Sequence, residues 1–403
     1  MTDTTEDRAT TLRLELVEAL VKAGDLTEGS TVHVAFLAVP RHLYLPGESL
    51  ERAYANTAVV TKRNKDGGSI SSVSQPSMVA QQLTQLDVRP GMSVLEIGSG
   101  GYQAHLLRHL VGEEGSVTSV DIDADVTDRA ESCLAAAGVK DVRVVLSDGE
   151  YGAHDFAPYD RIVVTAGAWD VPRELVAQMD GDGRLVTPLR MRGLTRSLAL
   201  EHRDGRLSAV SARQCGFVPM QGDGGHDERR VLLHGTEVAL RIDESADLGV
   251  DTESLATAVE QIRHEEWTGV TVAGGEPFED LEMWLATLLP GYCRLASEKT
   301  AVDRGVVKPA LPWGGSAAVH RGSFAYLTLR AVDAGYEFGV YAHGADAEQL
   351  AGTFAGAVVS WDAEQRQGDG PKFDIFPAGT PDERLPEGRV IDKRHTRLTI
   401  SWP

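Results

Sequence analysis

The sequence predicts an α/β protein in which a doubly wound, mostly parallel sheet is followed by an additional C-terminal α/β or α+β domain. Short apolar segments alternate with helical segments of about a dozen residues between positions 93 and 187, which is typical of parallel βαβ units. A glycine-rich turn joins the first of these strands to its helix. The chain has 403 residues, whereas a domain usually has about 150, so more than one domain is expected.

The predicted strands of the sheet alternate regularly with helices. Strands are predicted at 93–97, 116–120, 142–146, 161–165 and 184–187, and helices at 102–111, 126–137 and 172–179. Gly138 follows the second of these helices and is a typical helix stop. Right-handed crossovers place the carboxyl ends of parallel strands at one edge of the sheet, so the loops after those strands are where a ligand is expected to bind.

The residues before the alternating region are predicted to be mainly helical. Apolar residues at helical spacing indicate helices at 10–23, 31–39 and 76–86. The stretch from Pro46 to Gly68 contains several turn-forming residues and little periodicity, so it is predicted to be a loop. Residues 1–75 are therefore assigned to an N-terminal helical and substrate-side segment, and residues 76–225 to the ligand-binding domain.

The pattern changes beyond residue 190. Segments at 197–202 and 206–209 flank Asp204-Gly205, which is a good hairpin signal, and the glycine-rich run 222–225 is predicted to be a linker or flexible loop. Residues 236–403 are assigned to the C-terminal domain. Its helices are predicted near 252–263, 278–289 and 345–361, and its strands at 270–273, 324–330, 337–341 and 398–402.

Composition and charge exclude several classes of function. The net charge is −21 and no run of Lys and Arg long enough for phosphate binding is present, so nucleic acid is not expected as a partner. No apolar stretch approaches the ~20 residues of a membrane helix, and the polar, acidic N-terminus does not resemble a signal peptide. We expect a cytoplasmic protein that does not bind membranes.

Neither the cysteines nor the histidines predict a metal site. Cys133, Cys215 and Cys293 are far apart and form no CxxC pair, which fits a reducing compartment. His105 and His109 share one helix face but have no third ligand nearby in sequence. We therefore expect no bound metal.

Three sequence features at the ends of consecutive strands predict a nucleoside-binding site. Gly98 to Gly101 form a turn that lets the backbone approach a ligand closely. Asp121 ends the next strand, where a carboxylate can accept both ribose hydroxyls of an adenosine-type ligand. Asp148 follows the third strand and can accept an adenine amino group, while Gly149 lets the base lie close. On geometry alone, NAD remains an alternative ligand, although no second nucleotide-binding half is evident.

Several motifs in order resemble the protein-L-isoaspartate (D-aspartate) O-methyltransferase family over about residues 30–190. They are Val39-Pro40-Arg41-His42 with Tyr54-Ala55, Val73-Ser74-Gln75-Pro76, the cofactor loop VLEIGSGGY from Val94 to Tyr102, and Ala157-Pro158-Tyr159-Asp160 with the following stretch to Leu185. The resemblance implies a Rossmann-like methyltransferase sheet in residues 76–225, with S-adenosylmethionine as cofactor and S-adenosylhomocysteine as product.

The resemblance also implies roles for individual residues. Ser74 is expected to lie beside the accepting carboxylate and to orient it toward the methyl group. A carboxylate is already ionised at neutral pH, so no general base is required. The expected cofactor-binding residues are Glu96, Gly98, Ser99, Gly100, Tyr102, Asp121, Ile122, Asp148, Gly149 and Thr165. The expected substrate-binding residues are Val73, Gln75, Pro76 and His226, the last because it lies in a glycine-rich loop.

The departures from the family pattern indicate a subgroup. The cofactor loop is one residue shorter than the family's GTGSGY, Ser77 follows the proline where repair enzymes usually have His or an aromatic residue, and 58–71 does not match. The chain is similar to homologues that accompany ribosomally synthesised, post-translationally modified peptides such as lanthipeptides, graspetides and lasso peptides. This similarity implies methylation of an aspartate in a cyclised precursor peptide, followed by formation of succinimide (aspartimide) and isoaspartate.

Under this interpretation the C-terminal domain recognises the substrate. Phe278, Trp284 and Trp313 are candidates for a peptide groove, although most such residues are more readily explained as core. Three alternatives remain: repair of isoaspartate in damaged proteins, a non-catalytic scaffold that only binds S-adenosylmethionine, and methylation of a small molecule or another heteroatom.

Overall fold

The computed structural model describes residues 3–403 except 66, 244–247 and 334. The N-terminal segment contains three helices and a β-hairpin: α1 (Asp3–Ala23), α2 (Thr31–Ala38), α3 (Leu50–Ala53), β1 (Val59–Arg63) and β2 (Ser69–Val73). Helix α2 starts where Ser30 accepts a hydrogen bond from the backbone amide of His33, which satisfies a free N–H group of the first turn. The hairpin is an antiparallel two-stranded sheet of its own.

The central region of the chain builds a parallel sheet with helices between its strands. Its elements are α4 (Pro76–Leu86), β3 (Ser93–Ile97), α5 (Tyr102–Val111), β4 (Ser116–Asp121), α6 (Ala124–Ala136), β5 (Val142–Leu146), β6 (Tyr159–Val164), α7 (Arg173–Gln178), β7 (Met179–Met191), β8 (Leu194–Arg203) and β9 (Arg206–Gln214). The pairs β5–β4, β4–β3, β3–β6 and β6–β7 are parallel, and β7–β8 and β8–β9 are antiparallel.

The second half of the chain forms an antiparallel sheet with helices against it. Its elements are β10 (Arg229–His234), β11 (Val238–Ile242), α8 (Thr252–Ala258), β12 (His264–Val272), α9 (Glu279–Leu288), β13 (Tyr292–Ser297), α10 (Lys299–Asp303), β14 (Gly314–His320), β15 (Ser323–Val332), β16 (Gly335–His343) and α11 (Ala347–Glu364). In the described residues the strand order is β10-β11-β13-β14-β15-β16-β12. The predicted fold class, a methyltransferase-type α/β sheet with an additional C-terminal domain, is confirmed.

The end of the chain returns to the first sheet. Strands β17 (Lys372–Pro377), β18 (Arg389–Asp392) and β19 (Thr396–Ser401) continue it in the order β9-β17-β19-β18. Strand β17 reaches β9 through the pairs Asp374–Ser208 and Ile375–Leu207. The predicted division at residues 225 and 236 stays a prediction, but this pairing places residues 372–401 on the first sheet rather than the second.

Two predicted segments differ from the observed elements. The stretch from Pro46 to Gly68, predicted to be a loop, includes α3 and β1. Strand β1 lacks the apolar pattern of a buried strand because most of its side chains are half-exposed. The helix predicted at 252–263 ends at Ala258, since His264 begins β12 and pairs with Ala342 of β16. The end of α8 is set by the pairing of β12 with a strand that is distant in sequence, and the local spacing of apolar residues carries no information about that pairing.

Apolar clusters join the layers. One cluster packs the N-terminal helices and α5 against one side of the first sheet, with Phe36, Leu83 and Leu107 among its buried members. Another continues from the first sheet through α9 and α11 to the second sheet and includes Leu200, Leu285 and Phe354. The two sheets therefore share a continuous core. Among the described helices, none combines the length and the apolar character needed to cross a membrane.

Candidate active site

A pocket opens at the carboxyl ends of the parallel strands, where the sequence predicts ligand binding. Its lining residues surround about 830 Å³ of space, a volume that includes solvent at the open mouth of the pocket. The lining comes from Ile70–Ser74, Val79, Glu96–Gly100, Tyr102, Gln103, Val120–Ile122, Gly149, Thr165, Ala166 and Val218–Gln221. Most of the predicted cofactor residues therefore meet in one place.

The glycine-rich turn after β3 is held by Thr165. Gly98 has φ of 99°, and a Cβ atom there would collide with Thr165 Oγ1. The Thr165 hydroxyl donates to the carbonyl oxygens of Ile97 and Gly98 at 3.0 and 3.1 Å. Gly98 must therefore be glycine for two reasons, its left-handed backbone and the close approach of the neighbouring strand.

Glu96 lies at the bottom of the pocket and is fully buried. The hydroxyl of Ser119 donates to Glu96 Oε2, while Oε1 has no hydrogen-bond partner among the described residues. Burial raises the pKa of this carboxyl from 4.5 to about 8. An unpaired buried oxygen is costly, so a ligand that donates to Oε1 would gain binding energy there.

Asp121 ends β4 and faces the same pocket. Its carboxylate accepts hydrogen bonds from the backbone amides of Ser99 (2.9 Å) and Asp123 (3.0 Å), and burial raises its pKa. These amides fix the carboxylate at the strand end, with remaining lone pairs free for the two hydroxyls of a ribose. Ile122, which is half exposed, lies next to it in the lining.

Asp148 follows β5, as predicted, but it lies beside the pocket lining instead of in it. Gly149 is in the pocket lining and Asp148 is not. The Asp148 carboxylate accepts from the backbone amides of Glu150 (2.9 Å) and Asp223 (2.8 Å), so it anchors the segment 218–224. Gly149 packs directly on Ile97, with no room for a Cβ atom. Contact between Asp148 and an adenine amino group stays a prediction.

The segment 218–224 forms one side of the pocket, which the sequence did not predict. Gly167 donates to the carbonyl of Val218 at 2.7 Å, and Met220 donates back to Gly167 at 3.0 Å. The Gln221 side-chain amide donates to the carbonyl of Ile70 at 3.3 Å. The glycine-rich end of this segment, predicted to be a linker, is a 3₁₀ turn at Gly222–Gly224. The apolar residues shortly before those glycines are the sequence feature from which this part of the pocket could have been predicted.

The β1–β2 hairpin forms another part of the pocket wall. Its residues Ile70 to Val73 line the pocket and lead directly into Ser74. The ammonium group of Lys62 contacts the carboxylates of Asp123 and Asp125 at the start of α6. The hairpin and the 218–224 segment therefore meet over the pocket through Ile70 and Gln221.

Ser74 is half-buried in the pocket lining, on the short link between β2 and α4. The link is held by Arg41, a fully buried residue that donates from Nε to the carbonyl of Ala53 (2.9 Å) and from its terminal nitrogen to that of Val73 (3.3 Å). The guanidinium also lies 5.0 Å from the Tyr102 ring centre. Burial lowers the Arg41 pKa to about 10, so it stays charged at neutral pH.

Two of the predicted substrate residues belong to the start of α4 instead of the pocket lining. Pro76 is the first residue of α4, a position that needs no backbone N–H. Gln75 donates from its amide to the Ser77 hydroxyl at 2.8 Å. Val73 does line the pocket, directly before Ser74.

His226 lies outside the pocket lining, so the structure does not bring it to Ser74. Its ring stacks on Trp169, with centres 4.1 Å apart and planes 9° apart. Nε2 lies 3.6 Å from the Asp243 carboxylate, while burial lowers the pKa of the ring. A substrate contact from His226 stays a prediction. No group of three or more potential metal ligands was found among the residues that the structure describes.

Comparisons with known proteins agree with this geometry. A profile of the family described as protein-L-isoaspartate(D-aspartate) O-methyltransferase matches residues 12–225. Among similar proteins, the protein-L-isoaspartate O-methyltransferase of Methanococcus aeolicus is 34% identical over 215 residues, covering 53% of this chain and 96% of its own. That of Methanocella arvoryzae is 39% identical over 188 residues, covering 46% and 96%.

A solved structure has a similar fold over both halves of the chain. It is a protein-L-isoaspartate O-methyltransferase that is 20% identical, with a TM-score of 0.51, and the alignment covers 97% of this chain and 99% of that chain. At this identity the likeness concerns the fold alone.

Proposed function

This chain belongs to the protein-L-isoaspartate(D-aspartate) O-methyltransferase family, and on that premise we propose that it methylates an aspartate side chain in a modified precursor peptide. As a member of the family it is a carboxyl O-methyltransferase that uses S-adenosylmethionine. The acceptor is the part that we propose. The position of Ser74 in the lining of the cofactor pocket supports carboxyl methylation, and the observation that carries the choice of acceptor is the groove on the second domain with its exposed Trp313 and Tyr336.

The pocket residues fit the cofactor's chemistry. Glu96 offers an unpaired buried oxygen, and Asp121 offers a fixed carboxylate for ribose hydroxyls. At Gly98 and Gly149 the neighbouring side chains leave no room for a Cβ atom, so only glycine fits at these two positions of the lining. When bound, the cofactor supplies an electrophilic methyl group on a positively charged sulfur.

Ser74 would orient the acceptor. Its hydroxyl can donate a hydrogen bond to one oxygen of the aspartate carboxylate and leave the other oxygen directed at the methyl group. Enclosure by the β1–β2 hairpin and the 218–224 segment removes water from the nucleophile, which strengthens electrostatic interactions inside. Catalysis is then mainly positioning, since the carboxylate is already ionised.

The ester product explains the proposed outcome. In the transfer the carboxylate oxygen forms a bond to the methyl carbon while the carbon–sulfur bond breaks, and S-adenosylhomocysteine leaves. The backbone nitrogen of the following residue then attacks the ester carbonyl, loses its proton and expels methanol, which closes the succinimide. Water opens the ring to aspartate or isoaspartate. Only the methyl transfer requires the enzyme.

A groove on the second domain supports a peptide acceptor. Its lining is mostly apolar and aromatic and includes three glutamates: Gln214, Val272, Ala273, Gly275–Glu279, Glu282, Pro309–Leu311, Trp313, Leu329 and Tyr336. Trp313 and Tyr336 are 66% and 43% exposed, so their rings are accessible to a ligand in the groove. Trp284 is instead a core residue that donates to the carbonyl of Ala357.

The groove and the active-site pocket are linked by one short segment. Gln214 lines the groove and Val218 lines the pocket. Four residue steps of extended chain span at most about 14 Å. The segment after β9 therefore runs from the groove to the pocket, and we propose that one peptide acceptor occupies both.

Isoaspartate repair is the second candidate. A solved protein-L-isoaspartate O-methyltransferase shares the fold over both halves of the chain. The presence of a second domain is therefore not an argument against repair. The acceptor separates the two functions: repair requires only an isoaspartyl residue, whereas tailoring requires a particular peptide.

The test is the ratio of kcat/KM values for two acceptors. One is a cyclised precursor peptide encoded beside the gene, and the other is a generic isoaspartyl peptide. We expect turnover on the cyclised peptide to exceed that on the isoaspartyl peptide by a large factor. The reverse order would assign repair, and cofactor binding without turnover on either acceptor would indicate a non-catalytic scaffold.

A further inference from the structure

We propose that the C-terminal turn, residues 393–396, is a positioning element of the cofactor pocket, although it lies outside the part of the chain that the family profile matches. The turn joins β18 to β19 and is closed by a hydrogen bond from the Lys393 amide to the Thr396 carbonyl at 2.9 Å. It concerns the cofactor rather than the acceptor, so it is independent of the proposed substrate.

The turn first holds the loop that follows β6. Asp170 is buried, and its carboxylate accepts from the His395 backbone amide at 2.6 Å and from the Thr396 hydroxyl. The Lys393 ammonium donates to the carbonyls of Trp169 and Arg190. Burial lowers the Lys393 pKa to about 8, so its charge depends on these carbonyls and on nearby carboxylates. The same loop begins with Thr165 and Ala166, which line the pocket.

The turn also holds the loop that follows β5. His395 Nε2 lies 2.7 Å from Glu150 Oε1, and the Glu150 side chain is only 10% exposed. Glu150 directly follows Gly149, which lines the pocket. A hydrogen bond to a charged partner in this environment is stronger than one on an open surface.

The third contact is with the 218–224 segment. Arg394 donates to the carbonyl of Asp223 at 2.6 Å, and the Asp223 amide donates to the Asp148 carboxylate at 2.8 Å. The turn, the Asp148 loop and the 218–224 segment therefore form one hydrogen-bonded unit on a single side of the pocket.

This arrangement predicts that the turn acts on cofactor affinity and not on methyl transfer. Its contacts reach the pocket through the loops that carry Thr165, Gly149 and Met220, and among the described residues none of its side-chain contacts is with the β1–β2 hairpin or with Ser74. If the turn is weakened, the pocket loops must be ordered by the cofactor itself, which lowers affinity. Once the cofactor is bound, the reacting groups are in their usual places.

The test uses Arg394→Ala and His395→Ala in the full chain. Each is expected to raise the dissociation constant for S-adenosylhomocysteine about tenfold in calorimetry. Each should raise the KM for S-adenosylmethionine similarly and leave kcat at saturating cofactor within about twofold of wild type. Arg394 is exposed, so its removal leaves the core intact, and Arg394→Lys should recover most of the affinity by restoring a donor to the Asp223 carbonyl.

The matched control is Arg397→Ala. Arg397 is on the same hairpin, but its contacts are with Asp382, Asp392 and the carbonyl of Thr380, away from the pocket loops. The Arg397→Ala variant should have a lower melting temperature than wild type and an unchanged dissociation constant for S-adenosylhomocysteine. The proposal is overturned if Arg394→Ala and His395→Ala bind the product as wild type does, if kcat falls at unchanged KM, or if Arg397→Ala weakens binding equally.

Discussion

The ammonium group of Lys62 lies 2.7 Å from the carboxylate of Asp123 and 2.6 Å from that of Asp125, which ties the β1–β2 hairpin to the start of α6 across the pocket. Asp123 is the N-cap of α6, and the contact with Lys62 lowers its pKa. The hairpin that leads into Ser74 is therefore attached by ion pairs to the start of α6, next to the pocket residues Asp121 and Ile122. Such a contact is weakened by salt.

Lys62→Ala is expected to raise the KM for S-adenosylmethionine a few-fold at low ionic strength, because the hairpin closes less often over the pocket. The difference from wild type should disappear in high salt, where the ion pair of the wild-type protein is screened and contributes little. Steady-state kinetics over a salt series measure this. Lys65→Ala, at an exposed position near the tip of the same hairpin, should behave as wild type. An unchanged KM at low salt would contradict the assignment.

Ser74→Ala is expected to reduce kcat about 10- to 100-fold, the range for losing a hydrogen bond to a charged group. The dissociation constant for S-adenosylhomocysteine should change little, because the other lining residues remain. Rates with saturating cofactor and calorimetry of the product separate the two effects. Ser69→Ala, on the same hairpin but outside the pocket lining, is the control. Undiminished turnover in Ser74→Ala would remove Ser74 from the mechanism.

Glu96→Gln should stabilise the cofactor-free protein in a defined pH window. The native pKa of Glu96 is about 8 and the unperturbed value is 4.5, so between these values the native state holds more protons than the unfolded state. Wild-type stability therefore falls as pH rises through this window, and the glutamine variant lacks that loss.

The measurement is the melting temperature at a series of pH values without cofactor. The difference between Glu96→Gln and wild type should grow from pH 5 to pH 8 and level off above the Glu96 pKa of about 8. Exposed Glu131→Gln is the matched control and should show no such trend. A difference that shrinks as pH rises would mean that Glu96 is ionised in the native protein.

Trp313→Ala should raise the KM for a long peptide acceptor while leaving the KM for S-adenosylmethionine unchanged. Loss of one large aromatic contact typically costs about 1–3 kcal/mol, or roughly 5- to 150-fold. Leu288→Ala removes another exposed apolar side chain, outside the groove, and is the control. Equal effects on a short acceptor that cannot reach the groove would show that Trp313 acts through folding instead.

The part of the fold that the sequence predicts best is the parallel sheet from β3 to β6. Its strands are short and apolar and its turns carry glycine, so local pattern is enough. The same signals place Gly98, Asp121 and Thr165 at one edge of the sheet. The β1–β2 hairpin was missed because its strands are polar and it packs on the rest of the molecule mainly through its ends.

Contacts between distant parts of the chain could not be predicted in this way. Asp148 is bound by Asp223 and Glu150 is bound by His395, and no local pattern links such residues. The same holds for residues 372–401, which extend a sheet begun nearly three hundred positions earlier. Sequence reasoning therefore predicted most of the residues at the strand ends that line the pocket and missed the elements that hold them in place.

The central claim, carboxyl methylation of an aspartate in a cyclised precursor peptide, is tested most directly by mass spectrometry. The protein is incubated with S-adenosylmethionine and either the cyclised precursor or a synthetic isoaspartyl peptide. We predict that the precursor first gains the mass of one methylene group and then shows the net loss of one water, as ester formation is followed by succinimide closure. Modification of the isoaspartyl peptide alone would contradict the claim and assign the chain to repair.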